Sequence, residues 1–111
     1  MYIVIIVYSN DSETVWNAFR FANISLAHDN HVDLFLLGKG VEAAEISMLK
    51  YDIKEQINIF GAHGGNLIGC GVCCENRKDE MPFLLEGIKC EMGSMQQLYS
   101  LVAKADKVLT F

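Results

Sequence analysis

Tyr2-Ile-Val-Ile-Ile-Val-Tyr8 is an unbroken run of β-branched and aromatic residues. A strand with one wet face alternates apolar and polar residues. A run without alternation fits a strand covered on both faces, as in a parallel sheet lined by helices. Parallel neighbours cannot be joined by a tight hairpin and need crossovers of a dozen or more residues, usually helical. One such strand near the start therefore points the chain toward an α/β layout. The run is also far shorter than the ~20 residues of a spanning helix. It lacks a basic flank and reads as a strand rather than the core of a signal peptide.

The remaining pattern alternates as that layout requires. Ser9 to Ser12 is rich in turn and N-cap residues. A helix is predicted from there to about His28, with Val15, Phe19, Ala22 and Leu26 on one face. Val32 to Leu37 is a second buried strand, stopped by Gly38-Lys39-Gly40. Val41 to Met48 and Asp52 to Phe60 read as short helices, the second ended by Gly61 at the C′ position. Asn66 to Gly69 is a third strand that delivers Cys70, and Gly71 to about Arg77 is a helical turn or two. Met81 to Gly87 is given one more turn. Ile88 to Met92 is a weaker fourth strand, with Lys89 and Glu91 on its polar side. Ser94-Met-Gln-Gln97 matches a capping box and opens a helix carrying Leu98, Leu101, Val102 and Ala105. Lys107 to Phe111 is the fifth strand. The expected fold is a three-layer α/β/α sandwich on a five-stranded parallel sheet, Rossmann- or flavodoxin-like, with right-handed crossovers and one domain over residues 1–111.

Composition narrows the function. The chain is 51% hydrophobic and 21% charged with one proline, which excludes a disordered segment. Net charge is −5, and of nine basic residues only Arg77 and Lys78 are adjacent. Nucleic acid and anionic membrane surfaces draw their partners' affinity from clustered Lys and Arg, so neither is an expected partner. A cytoplasmic location is expected. The apolar content exceeds what one small core needs and points to a self-association surface.

In a reducing compartment four cysteines do not read as a disulfide framework. Cys70, Cys73 and Cys74 cluster where the third strand turns into a helix, and Cys90 stands apart. Open parallel sheets bind ligands at the carboxyl ends of their strands, and this cluster lies at such an end. A helix N-terminus, with Arg77 one turn on and Lys39 from the neighbouring strand end, supplies conditions that lower a thiol pKa. Cys73 and Cys74 both neighbour Cys70 on a helix surface, so either could resolve chemistry begun there. Cys70 is favoured as functional, Cys73 stands level, and Cys74 and Cys90 read better as packing residues.

Other chemistries fit less well. His28, His31 and His63 precede strands, at the opposite end of the sheet, so a cysteine–histidine dyad within one subunit is not expected. Zinc would need a second ligand pair that the spacing does not provide; a metal on Cys70, Cys73 and Cys74 remains the alternative to no metal. Ser9, Ser12 and Thr14 resemble a phosphate loop, but Asp11 and Glu13 would repel phosphate. No cofactor is called for. A thioredoxin fold is rejected, because its Cys-x-x-Cys comes early and faces a later cis-proline, whereas Pro82 is the sole proline here.

The opening strand Tyr2–Tyr8, the Cys70-x-x-Cys73-x-x-x-Arg77 segment, Gly93-Ser94-Met95 before the last helix and the closing Ala105-Asp-Lys-Val-Leu109 together resemble the DsrE/DsrF-like (YchN-like) family over essentially the whole chain. The resemblance implies the five-stranded parallel fold and a homo-trimer or homo-hexamer. It implies sulfur relay, with persulfide sulfur held on the cysteine after the third strand, which is Cys70, and with sulfur donor and acceptor proteins as partners. Relay members usually carry one cysteine here, whereas this chain carries three. Cys70 and Cys73 are therefore the candidate catalytic pair, and Arg77, Lys39, Gly93 and Ser94 the candidate binding residues. A non-enzymatic oligomeric module for a small ligand or metal, and a dithiol oxidoreductase using Cys70 and Cys73, are the alternatives.

Overall fold

The opening run forms the first of five strands in the computed structural model, which describes residues 1–111. In chain order the elements are β1 (Tyr2–Val7), α1 (Ser12–Ala27), β2 (His31–Leu36), α2 (Ile53–Ala62), β3 (Asn66–Cys70), α3 (Gly71–Glu75), β4 (Glu91–Gly93), α4 (Met95–Lys104) and β5 (Lys107–Thr110). The sheet order is β4-β3-β2-β1-β5 and every pairing is parallel. The register sets Ile5 beside Leu34 on one side and Leu109 on the other.

This order decides which helix covers which face. From β1 to β4 the chain advances across the sheet in one direction, then returns from one edge to the other to make β5. Right-handed crossovers therefore put α1, α2 and the 71–90 segment on one face and α4 on the other. Side chains agree. Leu67 lines one recess together with Ile57 and Phe60 of α2, and a Cβ on Gly69 would meet Leu85. One residue out of phase, a Cβ on Gly93 would meet Ile68, Phe35 and Gln97 of α4. Phe19 and Phe60 meet edge to face between α1 and α2, at a centroid distance of 6.0 Å. Val4, Ile5, Val7, Leu34, Phe35, Leu36 and Ile68 are fully buried. No helix is long and apolar enough to cross a membrane.

Helix ends follow local chemistry. Asp11 caps α1 and accepts from the backbone N–H and the hydroxyl of Thr14, both at 2.9 Å. These bonds hold its carboxyl below the usual range. Ser94 Oγ accepts from Gln97 N–H at 3.1 Å and opens α4. Past α1, Asp29 takes φ 64° while Asn30 N–H reaches back to the Ser25 carbonyl. Past α2, Gly64 takes φ 87° while Gly65 N–H reaches the Phe60 carbonyl. Both are Schellman closures.

Several boundaries differ from the sequence expectation. Gly61 lies inside α2, and the left-handed residue that ends the helix is Gly64. The helix expected over Val41–Met48 is replaced by a 3-10 turn at Gly38–Glu42 followed by turns, because Gly38 and Gly40 start the tight winding earlier and no long apolar face sustains a helix. The fourth strand is Glu91–Gly93 rather than Ile88–Met92; only those three residues pair with β3, and Ile88 closes a turn on the Leu85 carbonyl instead. Burial on both faces holds for β1 and β2 but not for the edges β4 and β5, which are largely exposed.

The Gly38–Glu42 turn depends on close backbone contact. Val7 carbonyl accepts from Leu37 N–H at 2.9 Å, and a Cβ on Gly40 would stand 1.9 Å from that same oxygen. Backbone must move to admit it. Gly40→Ala is expected to cost about 2–3 kcal/mol, the upper part of the range for overpacking. Urea unfolding tests this, and an unchanged midpoint would contradict the contact.

Candidate functional site

The carboxyl ends of the five strands share one edge, since all run parallel. The connection leaving β3 runs over the α1/α2 face and the one leaving β4 runs over the α4 face. Adjacent strands whose connections part in this way open a crevice at their carboxyl ends, the favoured ligand position in open α/β sheets. Cys70 ends β3 and Gly93 ends β4, and the two are register partners. The structure thus sets Cys70 beside Gly93, with Ser94 next in the chain.

Cys70 serves as N-cap of α3, with its Sγ accepting from Cys73 N–H at 3.3 Å. It is 5% exposed. Cys73 Sγ accepts from Gly38 N–H at 3.2 Å, so the strand end of β2 reaches the second thiol. Burial pushes the Cys73 thiol up, and the adjacent Cys70 adds to this, while Gly38 N–H and the Arg77 charge pull the other way. Cys74 is raised by burial and by the neighbouring Cys70 and Cys73, again opposed by Arg77. It opens onto a separate recess of about 290 Å³ beside Lys78, Met81, Leu84 and Met92. Cys90 is pushed up to about 12, first by burial and then by Cys74.

The expected binding residues separate into two groups. Arg77 is at the site, but its guanidinium is already engaged: Nε donates to Glu42 Oε2 at 2.9 Å and Nη1 donates to the Cys73 carbonyl at 3.1 Å. Lys39 lies at the edge, exposed, in the turn that presents Gly38. Ser94 spends its hydroxyl on capping α4, and Gly93 is where Ile68, Phe35 and Gln97 crowd the missing side chain. The histidines are elsewhere. His28 and His63 cap the C-termini of α1 and α2, and His31 begins β2 with Nε2 3.3 Å from the buried Asp33. No three of the His, Cys, Asp and Glu side chains are grouped as a metal ion would require.

Sequence reasoning missed Gly38 as a donor, and it missed Glu42 and Asn10. Asn10 Nδ2 donates to Glu42 Oε1 at 3.3 Å, which ties the end of β1 to the same network. The opposite signs of Glu42 and Arg77, each just past a strand end, were the available clue.

The model of the DsrE/DsrF-like family matches residues 1–111. The chain belongs to this family. The family is associated with sulfur relay in general. Among curated relatives, the uncharacterized protein MJ0989 of Methanocaldococcus jannaschii is 29% identical over 102 residues, covering 89% of this chain and 88% of the relative. Protein YchN of Escherichia coli K12 is 29% identical over 105 residues, covering 90% and 88%. The crystal structure of the E. coli YchN protein superposes with a TM-score of 0.80 at 27% identity over the full length of both chains. A conserved protein of unknown function from Bacteroides thetaiotaomicron, BT1422, also gives 0.80, at 18% identity over 99% of this chain and 94% of its own, and shares the fold.

The thiol environments make a pH prediction. A thiol raised to about 12 holds its proton throughout the neutral range, and only the thiolate alkylates. Cys90 is expected to resist iodoacetamide at pH 7–8 in the folded protein and to react once urea unfolds it. Peptide mass mapping reads this directly. Labelling of Cys90 in the folded state at the rate of a free thiol would contradict its environment.

Proposed function

We propose that this protein carries sulfane sulfur as a persulfide on Cys70 and hands it on to an acceptor. The observation that carries the reading is the pairing of Cys70 and Cys73 at the carboxyl edge of the sheet, Cys70 beside Gly93 of β4 and Cys73 beside Gly38 after β2, with a backbone N–H directed at each sulfur. Family membership supports sulfur chemistry of this general kind.

In the first step the Cys70 thiolate attacks the outer sulfur of a donor persulfide. A new S–S bond forms at Cys70, the donor's S–S bond breaks, and the donor leaves as thiolate. An acceptor thiolate can take the outer sulfur by the same displacement. Alternatively the Cys73 thiolate attacks Cys70 Sγ, which forms the Cys70–Cys73 disulfide and releases hydrosulfide. Burial raises the Cys73 thiol, so it holds its proton more firmly than an ordinary cysteine. The Cys73 and Gly38 N–H groups stabilise sulfur anions in place, and Arg77 adds positive charge beside them.

Self-association completes the reading. Met95, Tyr99 and Val102 stand at i, i+4 and i+7 on α4 and are all exposed. Residues so spaced form one stripe on a helix surface, and Val108 on β5 adds to the exposed apolar surface. We infer a homo-trimer or homo-hexamer from this stripe and from the family resemblance.

Two measurements test these statements. After incubation with a small-molecule persulfide, intact mass is expected to rise by one sulfur atom. Cys70→Ser should abolish the gain, and Cys73→Ser should prolong it. A gain that persists in Cys70→Ser would sink the assignment, and a Cys70–Cys73 redox couple without sulfur uptake would point to a dithiol oxidoreductase. Light scattering at low micromolar concentration is expected to give an oligomer that Tyr99→Lys weakens; a wild-type monomer would refute the interface.

A further inference from the structure

Glu42 is polar, acidic and 12% exposed at its side chain, and nothing in sulfur transfer requires an acid there. Each of its carboxylate oxygens accepts one side-chain hydrogen bond. Oε2 accepts from Arg77 Nε at 2.9 Å and Oε1 accepts from Asn10 Nδ2 at 3.3 Å. Arg77 in turn reaches the carbonyl of Cys73 with Nη1 at 3.1 Å. One continuous path therefore joins the ends of β1, β2 and β3 to the peptide unit of Cys73.

The 3-10 turn Gly38–Glu42 is hydrogen-bonded twice to the segment that follows β3. One contact is Glu42 with Arg77; the other is Gly38 N–H on Cys73 Sγ. The first spans long side chains over residues 35 apart in sequence, and the second is a weak backbone-to-sulfur bond at 3.2 Å. An N–H···S bond of that length survives only if the two segments keep their spacing. The ion pair is well placed to keep it, because neither group is fully exposed to solvent and the guanidinium is held at both Nε and Nη1.

We propose that Glu42 is a positioning residue for the thiol pair: through Arg77 it holds α3 against the Gly38–Glu42 turn, so that Gly38 N–H and the arginine charge stay on Cys73. The inference rests on the sulfur-carrier reading for its purpose, though not for its geometry. The two influences it maintains, Gly38 N–H and Arg77, both favour the Cys73 thiolate. Loss of the Glu42 charge alone would favour the Cys73 thiolate and bring the thiol down, whereas loss of the contacts that Glu42 holds brings it up. The direction of the shift therefore separates positioning from field.

The sign follows. Glu42→Ala leaves Arg77 held only at the Cys73 carbonyl and loosens the turn, both stabilising influences on the Cys73 thiolate weaken, and the thiol moves further up. Below the thiol pKa the alkylation rate tracks the thiolate fraction, and one pKa unit is a factor of ten. Peptide-resolved iodoacetamide labelling of Cys73 across pH 6–10 is expected to run about threefold to tenfold slower in Glu42→Ala at a given pH. Its profile should also shift toward higher pH. Glu42→Gln keeps an amide oxygen for Arg77 Nε and is expected to restore the wild-type profile within about twofold. Arg77→Lys keeps the charge but cannot hold Glu42 and the Cys73 carbonyl together, and should resemble Glu42→Ala. It serves as the test should Glu42→Ala fail to fold by circular dichroism.

A folded Glu42→Ala protein with an unshifted Cys73 profile overturns the proposal. So does a Glu42→Gln profile displaced as far as that of Glu42→Ala. Sulfur uptake is measured on the same samples. Its absence in wild type, with the labelling order intact, refutes the sulfur-carrier reading and leaves the positioning role standing.

Discussion

Parallel pairing on both sides of β1 is the constraint on which the molecule depends. β1 takes β2 along six residues and β5 along four, so the first and last strands of the chain lie side by side. Tyr8 N–H reaches the Phe111 carbonyl and Phe111 N–H reaches the Ile6 carbonyl, which extends this pairing to the end of the chain. Closing a contact over that sequence distance carries a loop entropy cost, and the buried apolar faces of β1 and β2 offset it. Parallel pairing also forbids hairpins, so every connection must recross the sheet, and every strand must discharge at the same edge. The site is a consequence of that geometry before it is a consequence of any cysteine.

At that edge the backbone provides most of the chemistry. Four thiols lie in the region, yet they are not alike. Cys70 ends a strand and caps α3, so the N–H of Cys73 is directed at its sulfur. Cys73 is matched by Gly38, which is presented by a turn only glycine could make this close to Val7. Cys74 faces its own recess, and Cys90 is buried enough to lose its acidity. A thiol's usefulness depends on its charged form, and burial without donors penalises that form. The same four residues in a different arrangement of N–H groups would be packing.

The strands β1, β2 and β3 and the helices α1, α2 and α4 were legible because each carries a periodic pattern with an end signal. The Cys70 position was legible for the same reason: it follows from where β3 must stop. What escaped reading has physical causes. Val41–Met48 is apolar enough to resemble a helix, but Gly38 and Gly40 tighten the chain before it, and propensity yields to that close contact. Gly61 was a reasonable helix terminator by type, whereas the turn that closes belongs to Gly64, since only there does the backbone enter the left-handed region. The 71–90 segment is held by turns and by Leu85, whose φ of 62° is a conformation that leucine rarely adopts. Its burial over Gly69 is a tertiary fact with no local signal.

The Glu42–Arg77 pair shows where sequence reading stops. Both residues were visible, and Arg77 was read as a charge that lowers a thiol pKa and as a candidate binding residue. The structure engages it instead with a carboxylate and a carbonyl, so its charge acts beside the thiols while its geometry acts on the backbone that carries them. A free arginine at an exposed edge would be solvated and mobile, and its field at a thiol would be screened. Fixed by Glu42, the charge is partly offset, but its position is defined. For a site whose donors are weak N–H···S contacts at 3.2–3.3 Å, defined position matters more than unneutralised charge, because those contacts fail with small displacements.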